Sequence, residues 1–172
     1  AKMSGRGLGH TGGTIDKLES IDGFKTDVSI EDLRKQVDEI GVAIVSPMGN
    51  LCPADKKLYE LRDATATVKS ISLIASSIMS KKLATGANRL IIDLKVGSGA
   101  LLTNMEDAKE LARIMVKIGH LKGKETICVL TNMDQPLGYS VGNSLEVLEA
   151  IECLKGHGPS DLNELVINLG SL

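Results

Sequence analysis

The sequence predicts an α/β fold: a mixed, mostly parallel sheet flanked by helices, with residues 1–172 forming a single domain. Two observations predict it. Runs of β-type residues alternate along the chain with helical patterns of about ten residues or more, the order that builds parallel sheets covered on both faces. The β-type runs are themselves largely apolar, as strands buried on both sides are.

Each element has its own signal. Residues 14–21 read as a short helix after a glycine-rich opening. Ser29 reads as an N-cap, with Asp32 three residues on where a capping box usually holds Glu or Gln. That helix runs to about Ile40 with Leu33, Val37 and Ile40 on one face, and Gly41 ends it. Residues 42–45 read as a buried strand and residues 47–50 as a turn. Pro53 opens a helix, a favoured place for proline, with Leu58 and Leu61 facing inward and Arg62-Asp63 closing it. A long helix over residues 70–83 puts Ile71, Ile74 and Ile78 on its apolar side and takes Gly86 as its cap. Residues 90–96 form a strand closed by Gly97-Ser98-Gly99. Asn104 starts a helix carrying Ala108, Leu111, Ala112, Met115 and Ile118 at helical spacing. A strand over residues 126–130, a polar loop over 132–142, and helices over 144–154 and from Ser160 complete the order.

Composition excludes several functions. Aromatic residues make up 2% of the chain with no Trp, so there is no stacking platform for single-stranded nucleic acid. A net charge of -2 offers no basic footprint for a duplex, and no apolar run has the length of a membrane span. Cys52, Cys128 and Cys153 are odd in number and widely spaced, as expected of reduced thiols in a cytoplasmic protein. The chain opens at Ala1 and reaches a ligand-type loop at once, so a domain truncated at both ends is expected.

The chemistry concentrates in that loop, Ser4-Gly5-Arg6-Gly7-Leu8-Gly9-His10-Thr11-Gly12-Gly13-Thr14, with its five glycines. Glycine lets backbone N–H groups approach an anion closely. Its G-x-G-x-x-G match also fits a plain turn, and a P-loop is excluded because no Gly-Lys-Ser/Thr follows. The hydroxyls of Ser4, Thr11 and Thr14 with Arg6 and Lys2 favour an anion site. Ser77 and Lys81, four apart, project from one helix face beside the apolar stripe, and Arg62 ends the preceding helix. Guanidinium, hydroxyl and ammonium suit a planar acceptor with carbonyl oxygens, such as a nucleobase edge. Each also has a plain reading, Lys81 as a complement to the helix dipole and Arg62 as a surface ion pair. His10, His120 and His157 have no partner motif, and Asp93 with Lys95 reads as structural.

Four blocks carry a resemblance. The opening loop with Asp16-Lys17-Leu18-Glu19 closely resembles the signature of the thymidine and pyrimidine-nucleoside phosphorylases. Leu61-Arg62-Asp63-Ala64-Thr65-Ala66-Thr67-Val68, Ser76-Ser77-Ile78-Met79-Ser80-Lys81-Lys82 and Asp93-Leu94-Lys95-Val96-Gly97-Ser98-Gly99-Ala100 are similar to three more, in the family's order. The resemblance runs from end to end and covers the central part of a longer family chain. It implies a catalytic domain of the nucleoside phosphorylase and phosphoribosyltransferase type.

What it implies for function is reversible phosphorolysis of uridine, thymidine and deoxyuridine, with inorganic phosphate as co-substrate. It implies phosphate-binding roles for Lys2, Met3, Ser4 and Thr14, and base-binding roles for Arg62, Ser77 and Lys81. Lys2 leans toward the enzymes that accept uridine as well as thymidine. The segment 137–149 resembles a monovalent-cation site, which implies the Leu137 and Ser140 carbonyls and the Glu149 carboxylate as ligands of a potassium ion. A homodimer is implied for the full-length enzyme, and little activity for these residues by themselves. A non-catalytic piece of such an enzyme and a phosphoribosyltransferase are the alternatives, though the magnesium-binding acidic motif the latter needs is not found.

Overall fold

The computed structural model describes residues 1–7, 12–46, 52–62 and 64–172. They form two compact units, Ala1–Ala87 and Asn88–Leu172.

The first unit begins with β1 (Lys2–Met3), α1 (Thr14–Leu18), α2 (Ile30–Ile40) and β2 (Ile44–Val45). β1 and β2 pair in parallel, Lys2 with Ile44 and Met3 with Val45. Ser29 caps α2 as its spacing predicts: its Oγ accepts from the Asp32 N–H at 3.0 Å and donates to Asp32 Oδ2 at 2.7 Å. The Gly41 N–H closes the other end on the Val37 carbonyl at 2.8 Å. The predicted strand over 42–45 is shorter than expected. Ala43 and Val45 are buried, but Val42 is 56% exposed and lies outside the pairing. Ile40, expected inward, is also exposed, and Leu33 and Val37 are half-buried.

The unit continues with α3 (Pro53–Leu61) and α4 (Ile71–Ala84). Leu58 and Leu61 do not face inward; they are 50% and 54% exposed. The side of α3 that is buried holds Asp55, and the buried Arg62 follows on the same side one turn past Tyr59. A carboxylate and a guanidinium with fixed partners have displaced the leucines from the interior. α4 also departs from expectation. Its buried residues are Ile74, Ala75, Ser77 and Met79, spread around the helix, so Ser77 lies within the buried surface instead of beside an apolar stripe. A helix covered on several sides shows no single stripe.

The second unit follows the predicted order closely: β3 (Arg89–Val96), α5 (Met105–Leu121), β4 (Glu125–Asn132), α6 (Asn143–Leu154) and α7 (Ser160–Gly170). β3 and β4 pair in parallel from Arg89–Glu125 to Val96–Asn132, with α5 as the crossover. Asn104 caps α5 through the Asp107 N–H at 2.9 Å. Ala108, Leu111, Ala112 and Met115 are buried, and so are Leu90, Ile92, Leu94 and Val96 of β3. Asp93 pairs with Lys95 at 2.8 Å and accepts from the Thr131 hydroxyl.

Candidate active site

Four turns of helix and one short strand position the predicted residues of the first unit. On α4, Lys81 Nζ donates to Ser77 Oγ at 2.7 Å, as the four-residue spacing requires. The same ammonium donates to Asp55 Oδ2 of α3 at 2.6 Å. Both side chains of this ion pair are almost withdrawn from water, at 11% and 8% exposure.

Arg62 is 4% exposed. One of its terminal nitrogens donates to the Val68 carbonyl, and its Nε is buried without a hydrogen-bond partner among the described residues. Its guanidinium carbon lies 5.8 Å from the centre of the Tyr59 ring, and Lys81 Nζ lies 5.3 Å from the same centre. Two cations thus flank one aromatic ring, an arrangement that favours both charges. The structure therefore brings Arg62, Ser77 and Lys81 together around Tyr59. The reading of Arg62 as a surface ion pair does not survive its burial, whereas Lys81 does sit in the last turn of α4, where it complements the dipole.

Sequence reasoning missed Asp55 and Tyr59. Their spacing with Arg62, four and then three residues, places all three on one side of a helix, and this was the available signal.

The opening loop meets this cluster. The Tyr59 hydroxyl donates to the Arg6 carbonyl at 3.0 Å. A cavity of about 430 Å³ opens between them, lined by Gly5 and Arg6 on one side and by Asp55, Tyr59 and Lys81 on the other. The loop itself is tied shut at its base. A Cβ on Gly13 would lie 2.2 Å from the Gly7 nitrogen, so glycine is required where the two ends cross. The Gly7 N–H donates to Asp16 Oδ2 at 2.8 Å. Arg6 bonds Asp16 at 2.8 Å and Glu19 at 2.7 Å and 2.9 Å. Arg6 is thus a brace for the loop and not the anion-binding group its composition suggested. The Gly7 N–H, then Arg6, hold the Asp16 carboxyl below its ordinary value, and Arg6 does the same for Glu19.

Of the residues expected to hold phosphate, Lys2 and Ser4 donate their N–H groups to the Ala43 and Val45 carbonyls at 2.8 Å and 2.9 Å. Strand alternation turns the Met3 N–H to the opposite edge. Met3 is buried at 2% exposure, Ser4 is half-buried, and Thr14 is the first residue of α1. Burial, then the charges of Lys2 and Lys81, pushes the Lys82 ammonium below its ordinary value. His10, Thr11, Asp63 and the turn at 47–50 lie outside the described residues.

In the second unit, Glu149 Oε1 accepts from the Tyr139 and Ser140 N–H groups at 2.9 Å and 3.1 Å, so the carboxylate of α6 is held against the loop that contains Leu137 and Ser140. Among the described residues no group of three or more His, Cys, Asp or Glu is placed to hold a metal ion.

The chain is 59% identical over 171 residues to the pyrimidine-nucleoside phosphorylase of Bacillus subtilis (strain 168), covering 99% of this chain and 40% of that protein. It is 60% identical over 171 residues to the enzyme of the same name from Staphylococcus aureus (strain USA300), with the same coverage. For that of Staphylococcus epidermidis (strain ATCC 12228 / FDA PCI 1200) the identity is 58%, again over 99% of this chain and 40% of the relative. The chain thus spans about 40% of the length of the curated relatives it matches. Residues 1–172 match, without interruption, the family described as "Glycosyl transferase family, a/b domain", and the chain belongs to that family.

Proposed function

We propose that this chain is the α/β portion of an enzyme that phosphorolyses pyrimidine nucleosides reversibly, taking uridine, thymidine or deoxyuridine with phosphate to the free base and a ribose or deoxyribose 1-phosphate. The names of its relatives support the reaction. One observation carries the base site: Arg62, buried with an unpartnered Nε, shares the Tyr59 ring with Lys81. A buried donor without an acceptor calls for a ligand. A pyrimidine supplies carbonyl oxygens for Arg62 and Lys81 and a ring N–H for Ser77, whose oxygen has a second lone pair beyond the one Lys81 uses.

The chemistry follows from charge. As the glycosidic bond breaks, the sugar becomes oxocarbenium-like and the base becomes negative. Two cations in a water-poor site bind that negative base more tightly than the neutral one, which lowers the barrier. Phosphate is placed for attack on the anomeric carbon by Ser4, Thr14 and the backbone around Lys2 and Met3.

A potassium ion is assigned to the Leu137 and Ser140 carbonyls with the Glu149 carboxylate. An all-oxygen set with a single carboxylate fits a hard monovalent cation, and Glu149 is already drawn to that loop. When bound, the ion would neutralise Glu149 and stiffen the loop. The uninterrupted family match supports reading the two units as one domain. The full-length enzyme is read as a cytoplasmic homodimer. Three free thiols fit a reducing compartment, while the dimer rests on the family resemblance alone.

The test is an assay of the complete protein with uridine and phosphate. Phosphate-dependent release of uracil is expected; no release would refute the proposal.

A further inference from the structure

We propose that Asp55 is a positioning residue: it aims the Lys81 ammonium at the base. The inference rests on the reading of Lys81 as a base-binding group.

An ammonium has three N–H donors. On Lys81 one is taken by Asp55 at 2.6 Å and one by Ser77 at 2.7 Å. Tetrahedral geometry then fixes the third, which is left for a ligand in the cavity that Lys81 lines. Without Asp55 the ammonium could turn about its stem, and a flexible lysine is a poor directional donor. Asp55 can do this because it is held as tightly as its partner, at 8% side-chain exposure on α3.

The charged neighbours of Lys81 offer it no other acceptor: Arg62 shares the Tyr59 ring with it, and Lys82 follows it on α4. Asp55 is the carboxylate in contact with Lys81 among the described residues.

The experiment labels the lysine side chains with ¹³C, assigns Lys81, and follows the mobility of its Cε by NMR relaxation in the wild-type chain, Asp55→Asn and Asp55→Glu. Uracil affinity is measured on the same samples. With Asp55→Asn the Lys81 Cε should become as mobile as that of the exposed Lys35, and uracil binding should weaken about tenfold. Asp55→Glu should restore both. A purely structural Asp55 would weaken binding and leave Lys81 as immobile as before, which overturns the proposal. If Asp55→Asn does not fold, the wild-type chain decides: a Lys81 Cε held still beside that of Lys35 supports the proposal, and one equally mobile overturns it. Wild-type protein that binds no uracil would overturn both readings. Wild type that binds while Asp55→Asn binds equally well would overturn this one alone.

Discussion

Arg62 concentrates the cost and the use of the site in one side chain. Its guanidinium is 4% exposed, one nitrogen bonds the Val68 carbonyl, and Nε has nothing to bond among the described residues. An unsatisfied buried donor destabilises a fold by about 1–3 kcal/mol, and a base carbonyl would remove that penalty. In the complete protein, Arg62→Ala or Lys81→Ala should lower kcat/KM for uridine by about a hundredfold or more, measured at saturating phosphate. Near-normal rates would sink their roles. The Ser77–Lys81 contact was legible in the sequence, because a hydroxyl and an ammonium four residues apart must share a helix face, while the roles of these two and of Arg62 came with the family resemblance. Asp55 and Tyr59 were not legible, because hydrophobic periodicity counts apolar residues. Leu58 and Leu61 supplied an apolar face of their own, and a buried ion pair leaves no apolar mark.

Arg6 shows the same limit on the surface. Composition suggested an anion ligand, yet it braces Asp16 and Glu19. Both carboxyls are held below their ordinary values, so their contribution to stability is complete above the unfolded values of 3.8 and 4.5 and is lost as pH falls through the lower folded ones. Arg6→Ala should therefore lower the melting temperature at pH 6, and the difference from wild type should shrink steadily as the pH falls below the unfolded values of 3.8 and 4.5. A gap that persists in acid would assign the loss to packing instead.

At the scale of elements, caps made the helices legible. α2 and α5 begin where Ser29 and Asn104 predict, because a side chain that accepts an N–H of the first turn fixes the boundary chemically. Ser29→Ala should cost about 1 kcal/mol by urea unfolding, as cap removal does. The strand over 42–45 was overcalled because an apolar run signals a strand only where another strand is present to pair with it. β1 pairs with Ile44 and Val45 alone. The crossover from α5 to β4 is closer than sequence could reveal: a Cβ on Gly119 would lie 1.9 Å from Thr126 Oγ1. Gly119→Ala should destabilise by about 1–3 kcal/mol in thermal unfolding, with part of the loss recovered when Thr126 is changed to Ala as well. Full stability in the single variant would contradict that contact.

For the molecule as a whole, the α/β class was legible because both β pairings are parallel and each encloses helix. The division of labour within the first unit was only half legible. The motifs separated a phosphate loop from a base-binding set, but the Tyr59 hydroxyl on the Arg6 carbonyl, which ties the two walls of one cavity together, joins residues 53 apart in sequence. Such a contact has no local signature. Since the chain spans about 40% of its relatives' length, the 172 residues by themselves should phosphorolyse uridine little, although they hold the residues proposed for the base site. The central claim is that Arg62, Ser77 and Lys81 hold a pyrimidine. Titration calorimetry of uracil into the 172-residue chain, beside folded Arg62→Ala and Lys81→Ala variants, tests it most directly. Saturable one-to-one binding by the wild type that either substitution abolishes is the predicted result. Binding that neither substitution weakens, or none by a folded wild-type chain, would contradict it.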